Sequence, residues 1–232
     1  MTDDRQILDH PVPFDIDGSV EKIAAEFRAG FEKVALIDRP AAALFGSARV
    51  HEGSEPYESA RQVGRLFAEN GWAVVTGGGG GVMEGANRGA REGKGLSVGF
   101  NIVLPHEQAP NPYVTPYLSF QFHYFALRKM HFLLRARAVA VFPGGYGTFD
   151  EMFELLTLVQ TGKVRPLPIL LFGRDYWNRV VNFEAMVEEG VIAPHDLDLI
   201  HWSEDAEEAW QFITDFYAEH PHPAPVQTSP PE

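Results

Sequence analysis

The sequence predicts an α/β fold: one parallel sheet with helices on both faces, in a single domain. Three observations carry that prediction. Short apolar runs alternate with longer stretches whose apolar residues recur at three- and four-residue steps. Two of those runs end in glycine-rich turns that lead straight into such a stretch, the strand–turn–helix order of nucleotide-binding α/β sites. No internal repeat or composition break divides the 232 residues, a length that suits one domain with a substantial core.

The elements follow in order. Residues 1–18 carry Pro, Asp and Gly without a period and read as an irregular lead-in. Ser19 is placed to cap a helix through Val34, with Ile23, Phe27, Phe31 and Val34 on one face. Ala41 to Phe45 reads as the first core strand. Pro56 suits the first turn of a helix running to about Asn70, which Gly71 ends. Trp72 to Thr76 is the next strand, Val82 to Ala90 a helix rich in small residues, and Leu96 to Phe100 a third strand. Asn101 to Tyr117, with four prolines, reads as a long ordered loop or lid. Ser119 to Phe122 suits a short extended piece, and Tyr124 to Arg137 a helix with a local basic excess. Ala138 to Phe142 is a buried strand, and a helix is expected from Phe149. Pro168 to Phe172 (strand), Tyr176 to Glu189 (helix), Asp198 to Trp202 (strand) and Ser203 to Tyr217 (helix) complete the chain. The organisation expected is a lead-in and packing helix over 1–38, a Rossmann-like nucleotide-binding domain over 39–217, and a Pro-rich disordered tail over 218–232.

Composition narrows the function. A formal net charge of −13 argues against binding nucleic acid, which needs clustered Lys and Arg. A small phosphorylated ligand stays open, because backbone N–H groups and one or two arginines hold a single phosphate. The absence of cysteine removes disulfides, thiol catalysis and cysteine-ligated metals. The acidic start is unlike a secretory signal and no apolar run approaches membrane-spanning length, so a cytoplasmic protein without a membrane partner is expected.

Two glycine loops carry the chemistry. The first is Thr76-Gly77-Gly78-Gly79-Gly80-Gly81-Val82-Met83-Glu84, where five glycines let the backbone approach a phosphate closely. No Gly-Lys-Ser/Thr follows, so it is not a P-loop. The second is Pro143-Gly144-Gly145-Tyr146-Gly147-Thr148, with the Thr148 hydroxyl as an added donor. Parallel sheets bring such loops together at the carboxyl ends of the strands, so the two loops can cradle one phosphate. Ser47, just after the first core strand, suits a ligand hydrogen bond. Glu151, placed in the first turn of its helix, reads either as a carboxylate favoured by the helix dipole or as a catalytic acid–base group. Arg128 and Lys129 read either as solvated surface charge or as groups pointing into the same crevice. His123 and His131 lack partners at metal-ligand spacing, so no metal is expected.

Taken together, these residues resemble the Lonely Guy (LOG) family of cytokinin-activating phosphoribohydrolases, whose members have often been labelled possible lysine decarboxylases. The resemblance covers roughly Ala41 to Trp202. Pro143-Gly144-Gly145-Tyr146-Gly147-Thr148-Phe149-Asp150-Glu151 matches the family pattern PGGxGTxxE in full, and Arg128-Lys129 stands where the family places its catalytic arginine. The first glycine loop departs from the short plant-type members, and the loop over 101–117, with Leu104-Pro105-His106-Glu107-Gln108, looks like the longer bacterial branch. The resemblance implies hydrolysis of the N-glycosidic bond of an AMP-like nucleoside 5′-monophosphate, with no cofactor. Glu151 would stabilise the oxocarbenium-like ribose and position or deprotonate water. Arg128 would orient Glu151, lower its pKa and help the base leave. The family further implies a homodimer or higher homo-oligomer with shared active sites, and the helix over 124–137 and the N-terminal helix are the interface elements expected. The alternative is a nucleotide or molybdenum-cofactor carrier, which needs the glycine loops but not the Arg128–Glu151 pair.

Overall fold

The structure is a computed structural model that describes Asp4 and residues 15–104 and 109–221. Among the described residues seven parallel strands form one sheet in the order β4-β3-β2-β1-β5-β6-β7. They are β1 (Ala41–Phe45), β2 (Ala73–Thr76), β3 (Ser97–Ile102), β4 (Ser119–Phe122), β5 (Ala136–Val141), β6 (Ile169–Phe172) and β7 (His201–Ser203). The helices are α1 (Ile16–Ala35), α2 (Glu55–Glu69), α3 (Val82–Glu92), α4 (Phe125–Leu133), α5 (Tyr146–Gln160), α6 (Arg174–Val180), α7 (Phe183–Glu188) and α8 (Ala206–Glu219). This is the parallel, Rossmann-like architecture the sequence predicts.

The central strand β1 is buried along its whole length, as expected of a parallel strand covered on both faces. Alternation along it divides the core in two. Ala41, Ala43 and Phe45 face one layer with Val139, Val141, Phe132, Met152 and Leu155. Ala42 and Leu44 face the other with Val63, Phe67, Ala86, Ala140 and Ile213. The first layer takes residues from α1 and α4 to α7, the second from α2, α3 and α8. The sequence step from β1 to β2 goes one way along the sheet, whereas β5 returns to the other side of β1. That reversal makes a crevice above the carboxyl ends of β1 and β5.

Helices α2 and α3 pack backbone to backbone. A Cβ on Gly64 would lie 2.3 Å from the Ala86 carbonyl oxygen, on Gly85 2.5 Å from that of Tyr57, and on Gly89 1.9 Å from that of Arg61. The glycines at these contacts are therefore required by the close approach of the two helices.

Beneath the first glycine loop lies a buried polar network. Thr76 Oγ1 donates to Asn87 Oδ1 at 2.6 Å and accepts from Gly78 N at 2.9 Å. Asn87 Nδ2 donates to Ser97 Oγ at 2.9 Å, and Asn111 Nδ2 lies 2.9 Å from both Asn87 Oδ1 and the Gly79 carbonyl. Asn87 thus ties the loop to β3 and to the proline-rich connection after it. Asn87→Ala removes the shared partner of Thr76, Ser97 and Asn111, and each buried polar group left unsatisfied costs about 1–3 kcal/mol. We expect urea denaturation to show a loss of about 2–3 kcal/mol, with some of the deficit recovered by water.

Several boundaries differ from the sequence reading, each for a local reason. Helix α1 is capped by Asp15, whose carboxylate accepts from Gly18 N at 3.0 Å, and Ser19 is buried inside the helix. Helix α4 stops at Leu133 rather than running to Arg137, because Ala136 to Val141 pairs with β1 and sheet pairing overrides the helical propensity of the run. The expected helix over 176–189 is two short helices. Val181 is extended, and the Asn182 side chain accepts from Ala185 N at 3.0 Å to start the second. The last strand begins at His201 because Pro194–Leu199 is a 3₁₀ turn. Most of the lead-in, residues 105–108 of the expected lid, and 222–232 of the expected tail lie outside the described residues.

Candidate active site

The crevice at the reversal of strand order is an open cleft of about 880 Å³. The loops after β1, β2 and β5 wall it, and α4 closes one side. Ser47 N donates to the Pro143 carbonyl at 3.0 Å, and Val82 N to the Ser47 carbonyl at 2.9 Å. All three loops are thereby fixed to one another before any ligand enters.

The second glycine loop differs from the sequence reading in where its helix begins. Gly145 is the N-cap and α5 starts at Tyr146, so Glu151 stands in the second turn rather than the first. The first intrahelical bond runs from Phe149 N to the Gly145 carbonyl at 3.1 Å, leaving the amides of Tyr146, Gly147 and Thr148 without carbonyl partners behind them. Such amides attract an anion. The Tyr176 hydroxyl donates to the Gly144 carbonyl and so holds the loop from the opposite wall.

The glycines fall into two kinds. Gly144 sits against Thr148, where a Cβ would meet Oγ1 at 2.2 Å, and Gly81 combines a φ of 65° with a Cβ position 2.2 Å from the Ser47 carbonyl. Protein packing demands both. At Gly145 and Gly147 a Cβ would meet nothing within 4 Å, and neither has positive φ. A glycine inside a helix costs about 1 kcal/mol relative to alanine, so Gly147 has no justification within the chain itself. Both glycines line the cleft.

Arg128 and Glu151 meet at the cleft floor. Arg128 Nη2 donates to Glu151 Oε1 at 3.1 Å, and the side chains are only 11% and 9% exposed. The guanidinium carbon lies 5.0 Å from the Phe125 ring centre and 5.5 Å from that of Phe132. Burial pushes the Glu151 carboxyl above the usual carboxylate range, opposed by Arg128 and reinforced by Asp150. Arg128 does pull the Glu151 pKa downward, as its charge implies, but desolvation outweighs that pull and leaves the net shift upward. The same burial lowers Arg128, against the pull of Glu151.

The predicted site residues do not all gather. Ser47, Gly77, Met83, Arg128, Gly144, Gly145, Tyr146, Gly147, Thr148 and Glu151 line the cleft. Gly78 to Gly81 are not among the lining residues; Gly78 packs against Asn101 and Gly81 against Ser47 and Ala48. Glu84 turns away to accept from the Tyr57 hydroxyl at 3.2 Å. Lys129 points to the other side of α5, where Asp150 and Glu154 hold it at 3.0 and 3.2 Å. Those two acids are accounted for by that lysine, which leaves Glu151 as the carboxylate aimed inward.

Sequence reasoning passed over Arg49 and Tyr176, both on the cleft wall. Among the described residues Arg49 makes no ion pair, so its charge is available in a cleft whose other arginine is committed to Glu151. Its signal was its position, two residues beyond Ser47 at the end of the first strand. Tyr176 gave none, since its loop contact is 32 residues away in sequence.

A parallel α/β protein with a cleft at its switch point, two glycine loops and a buried Arg–Glu pair is the class this geometry defines. The family model described as "possible lysine decarboxylase" matches residues 83–213, more than half of the chain, and the chain belongs to that family. Relatives include a cytokinin riboside 5′-monophosphate phosphoribohydrolase of Arabidopsis thaliana, 33% identical over 95 residues, which are 40% of this chain and 44% of that protein. A probable enzyme of the same name from Oryza sativa subsp. japonica is 31% identical over 141 residues, 59% of this chain and 56% of that one. The aligned part thus spans about half the length of these relatives. Among solved structures, a molybdenum cofactor carrier protein from Chlamydomonas reinhardtii is 23% identical, covers 78% of this chain and 99% of its own, and gives a TM-score of 0.55. The molybdenum cofactor binding protein from Rippkaea orientalis is 21% identical, with 78% and 98% covered and a TM-score of 0.55. These two share the fold. Among the described residues no helix is long and apolar enough to cross a membrane.

Proposed function

We propose that the protein hydrolyses the N-glycosidic bond of AMP-like nucleoside 5′-monophosphates, including N6-substituted ones, to the free base and ribose 5-phosphate. The observation that carries this reading is the Arg128–Glu151 pair, buried at the floor of a cleft whose rim offers unpaired amides to an anion. The 5′-phosphate lies against the α5 amides, with Ser47, Thr148 and Arg49 as further donors. The ribose then sits over Glu151. As the C1′–N bond lengthens, positive charge develops on the ribose and the Glu151 carboxylate stabilises it. Water adds to C1′ and gives a proton to Glu151, whose raised pKa makes it a better base than an ordinary carboxylate. The departing base takes up a proton from solvent and Glu151 returns the water proton to solvent, so one water is consumed overall. Arg128 fixes the carboxylate and offsets part of its charge.

The test is incubation with AMP and with isopentenyl-AMP, assaying free base against ribose 5-phosphate. Equimolar release supports the reading. Tight binding without release would favour a carrier, which needs the cleft but has no use for the buried pair. A homo-oligomer in which a neighbour completes each cleft belongs to the same proposal.

Two expected results follow from the geometry. Gly147→Ala adds a methyl group where the phosphate approaches but where the protein has open space. Thermal stability should hold or rise slightly, while the Kd for AMP by calorimetry should weaken about tenfold, on the order of 1.4 kcal/mol. The second concerns pH. Catalysis needs ionised Glu151, so kcat/KM falls as pH drops through its pKa. Because burial raises that pKa, the acid limb should lie above the usual carboxylate range. Arg128→Gln should move the limb of the residual activity higher still, since the guanidinium pulls it down.

A further inference from the structure

Helix α1 lies upstream of the stretch that the family model matches. We propose that α1 sets the position of Arg128, with Glu26 as the positioning residue. The inference rests on reading Arg128 and Glu151 as the catalytic pair, but its structural content can be tested apart from activity.

Helix α4 does not cap itself. Its N-cap is Tyr124, which makes no side-chain capping bond, and at nine residues the helix is too short to stand on propensity alone. Glu26 supplies the acceptor from a different helix. Its two carboxylate oxygens each lie 3.0 Å from His123 N, and Oε1 also accepts from Tyr124 N at 3.2 Å. His123 Nδ1 lies 2.7 Å from Oε2. The Glu26 side chain is 9% exposed, as buried as that of Glu151. A carboxylate at a helix N-terminus is favoured by the dipole, and its bonds to N–H groups are charge-assisted.

That turn is the one that holds the arginine. Arg128 N donates to the Tyr124 carbonyl at 3.2 Å, so Arg128 is one turn from the residue Glu26 grips. The guanidinium has few bonds of its own to fix it: Nη2 reaches Glu151, while the buried Nε has no partner among the described residues. Its placement therefore depends on the backbone of α4 and on the Phe125 and Phe132 rings. The remaining contacts of α1 grip elsewhere. Phe27 and Phe31 pack on His131, Gly30 makes room for that ring, and Lys33 Nζ donates to the Tyr117 carbonyl at 3.0 Å. Asp4 adds one bond, accepting from Phe125 N at 2.9 Å. Glu26 is the residue by which α1 reaches the turn that carries Arg128.

The experiment is a carbon-13 NMR titration of protein labelled at the glutamate carboxyls, with the Glu151 signal assigned by its disappearance in Glu151→Gln. The charged groups facing Glu151 are Arg128 from α4, with Asp150 and Lys129 beside it. Loosening Arg128 removes a downward pull, so Glu26→Ala should move the Glu151 midpoint upward, and kcat for AMP should fall roughly tenfold or more with KM little changed. Glu26→Gln, the same shape with a weaker acceptor, should give a smaller shift in the same direction and keeps the test alive if the alanine variant fails to fold. An unchanged Glu151 midpoint alongside a lowered Tm would overturn the proposal and leave Glu26 a structural cap. If the wild-type protein releases no base, the titration still decides whether Glu26 positions Arg128.

Discussion

Glu151→Gln should lower kcat for AMP by about 10²- to 10⁴-fold, the range associated with a positioned acid–base group. The amide keeps the shape of the carboxyl and still offers an oxygen to Arg128 Nη2. It loses the negative charge that faces the developing oxocarbenium and the basicity that takes the water proton. The loss should not come from unfolding, and the sign of the pKa shift says why. The folded-state pKa is raised, so folding favours the neutral form, and that stability is lost as pH rises through the folded value. At neutral pH the ionised carboxyl works against the fold, and the neutral amide should leave Tm unchanged or higher. Binding of AMP should persist, because the phosphate donors are on other residues. A fall in kcat with retained Tm and Kd separates chemistry from structure.

Gly89→Leu should prevent stable folding, the largest structural effect we expect. A Cβ at Gly89 already meets the Arg61 carbonyl oxygen at 1.9 Å and Arg65 N at 2.7 Å, both backbone atoms that cannot rotate away. Helices α2 and α3 would have to separate, with the glycine-mediated contacts at Gly64 and Gly85 opening as well. Overpacking costs about 1–3 kcal/mol where side chains can adjust, and more is expected where only backbone can move. Domains have only about 5–15 kcal/mol to lose. Even Gly89→Ala should destabilise by about 3 kcal/mol, despite the roughly 1 kcal/mol that alanine gains in a helix. Arg91→Ala, exposed on the same helix, should stay within about 0.5 kcal/mol in the same denaturant titration.

The parallel sheet was legible because its central strands β1, β2 and β6 are short apolar runs closed by turns, and β1 falls where the sequence places it, at Ala41–Phe45. Boundaries decided by long-range pairing were not. Nothing local says that Ala136 leaves the helix to join β1. The Gly144–Glu151 stretch pointed to a site because glycine, threonine and carboxylate have a recognisable order. The separation of Lys129 from Arg128 was hidden, since neighbours on a helix point about 100° apart and the sequence does not say which one faces the cleft. The competition between burial and Arg128 at Glu151 depends on how deep the pair lies, a property of the assembled core. Glu26 is the plainest case: its role rests on contacts 97 and 98 residues away.

The central claim is that a buried Glu151, held by Arg128, makes this cleft hydrolytic. The most direct measurement is a single-turnover reaction with AMP in excess enzyme, run in parallel for the wild type and Glu151→Gln, following adenine and ribose 5-phosphate together. The predicted result is equimolar release by the wild type and a rate lower by about 10² or more in the variant at equal occupancy. Turnover that survives the Glu151 change would contradict the account, as would wild-type protein that binds AMP and releases neither product.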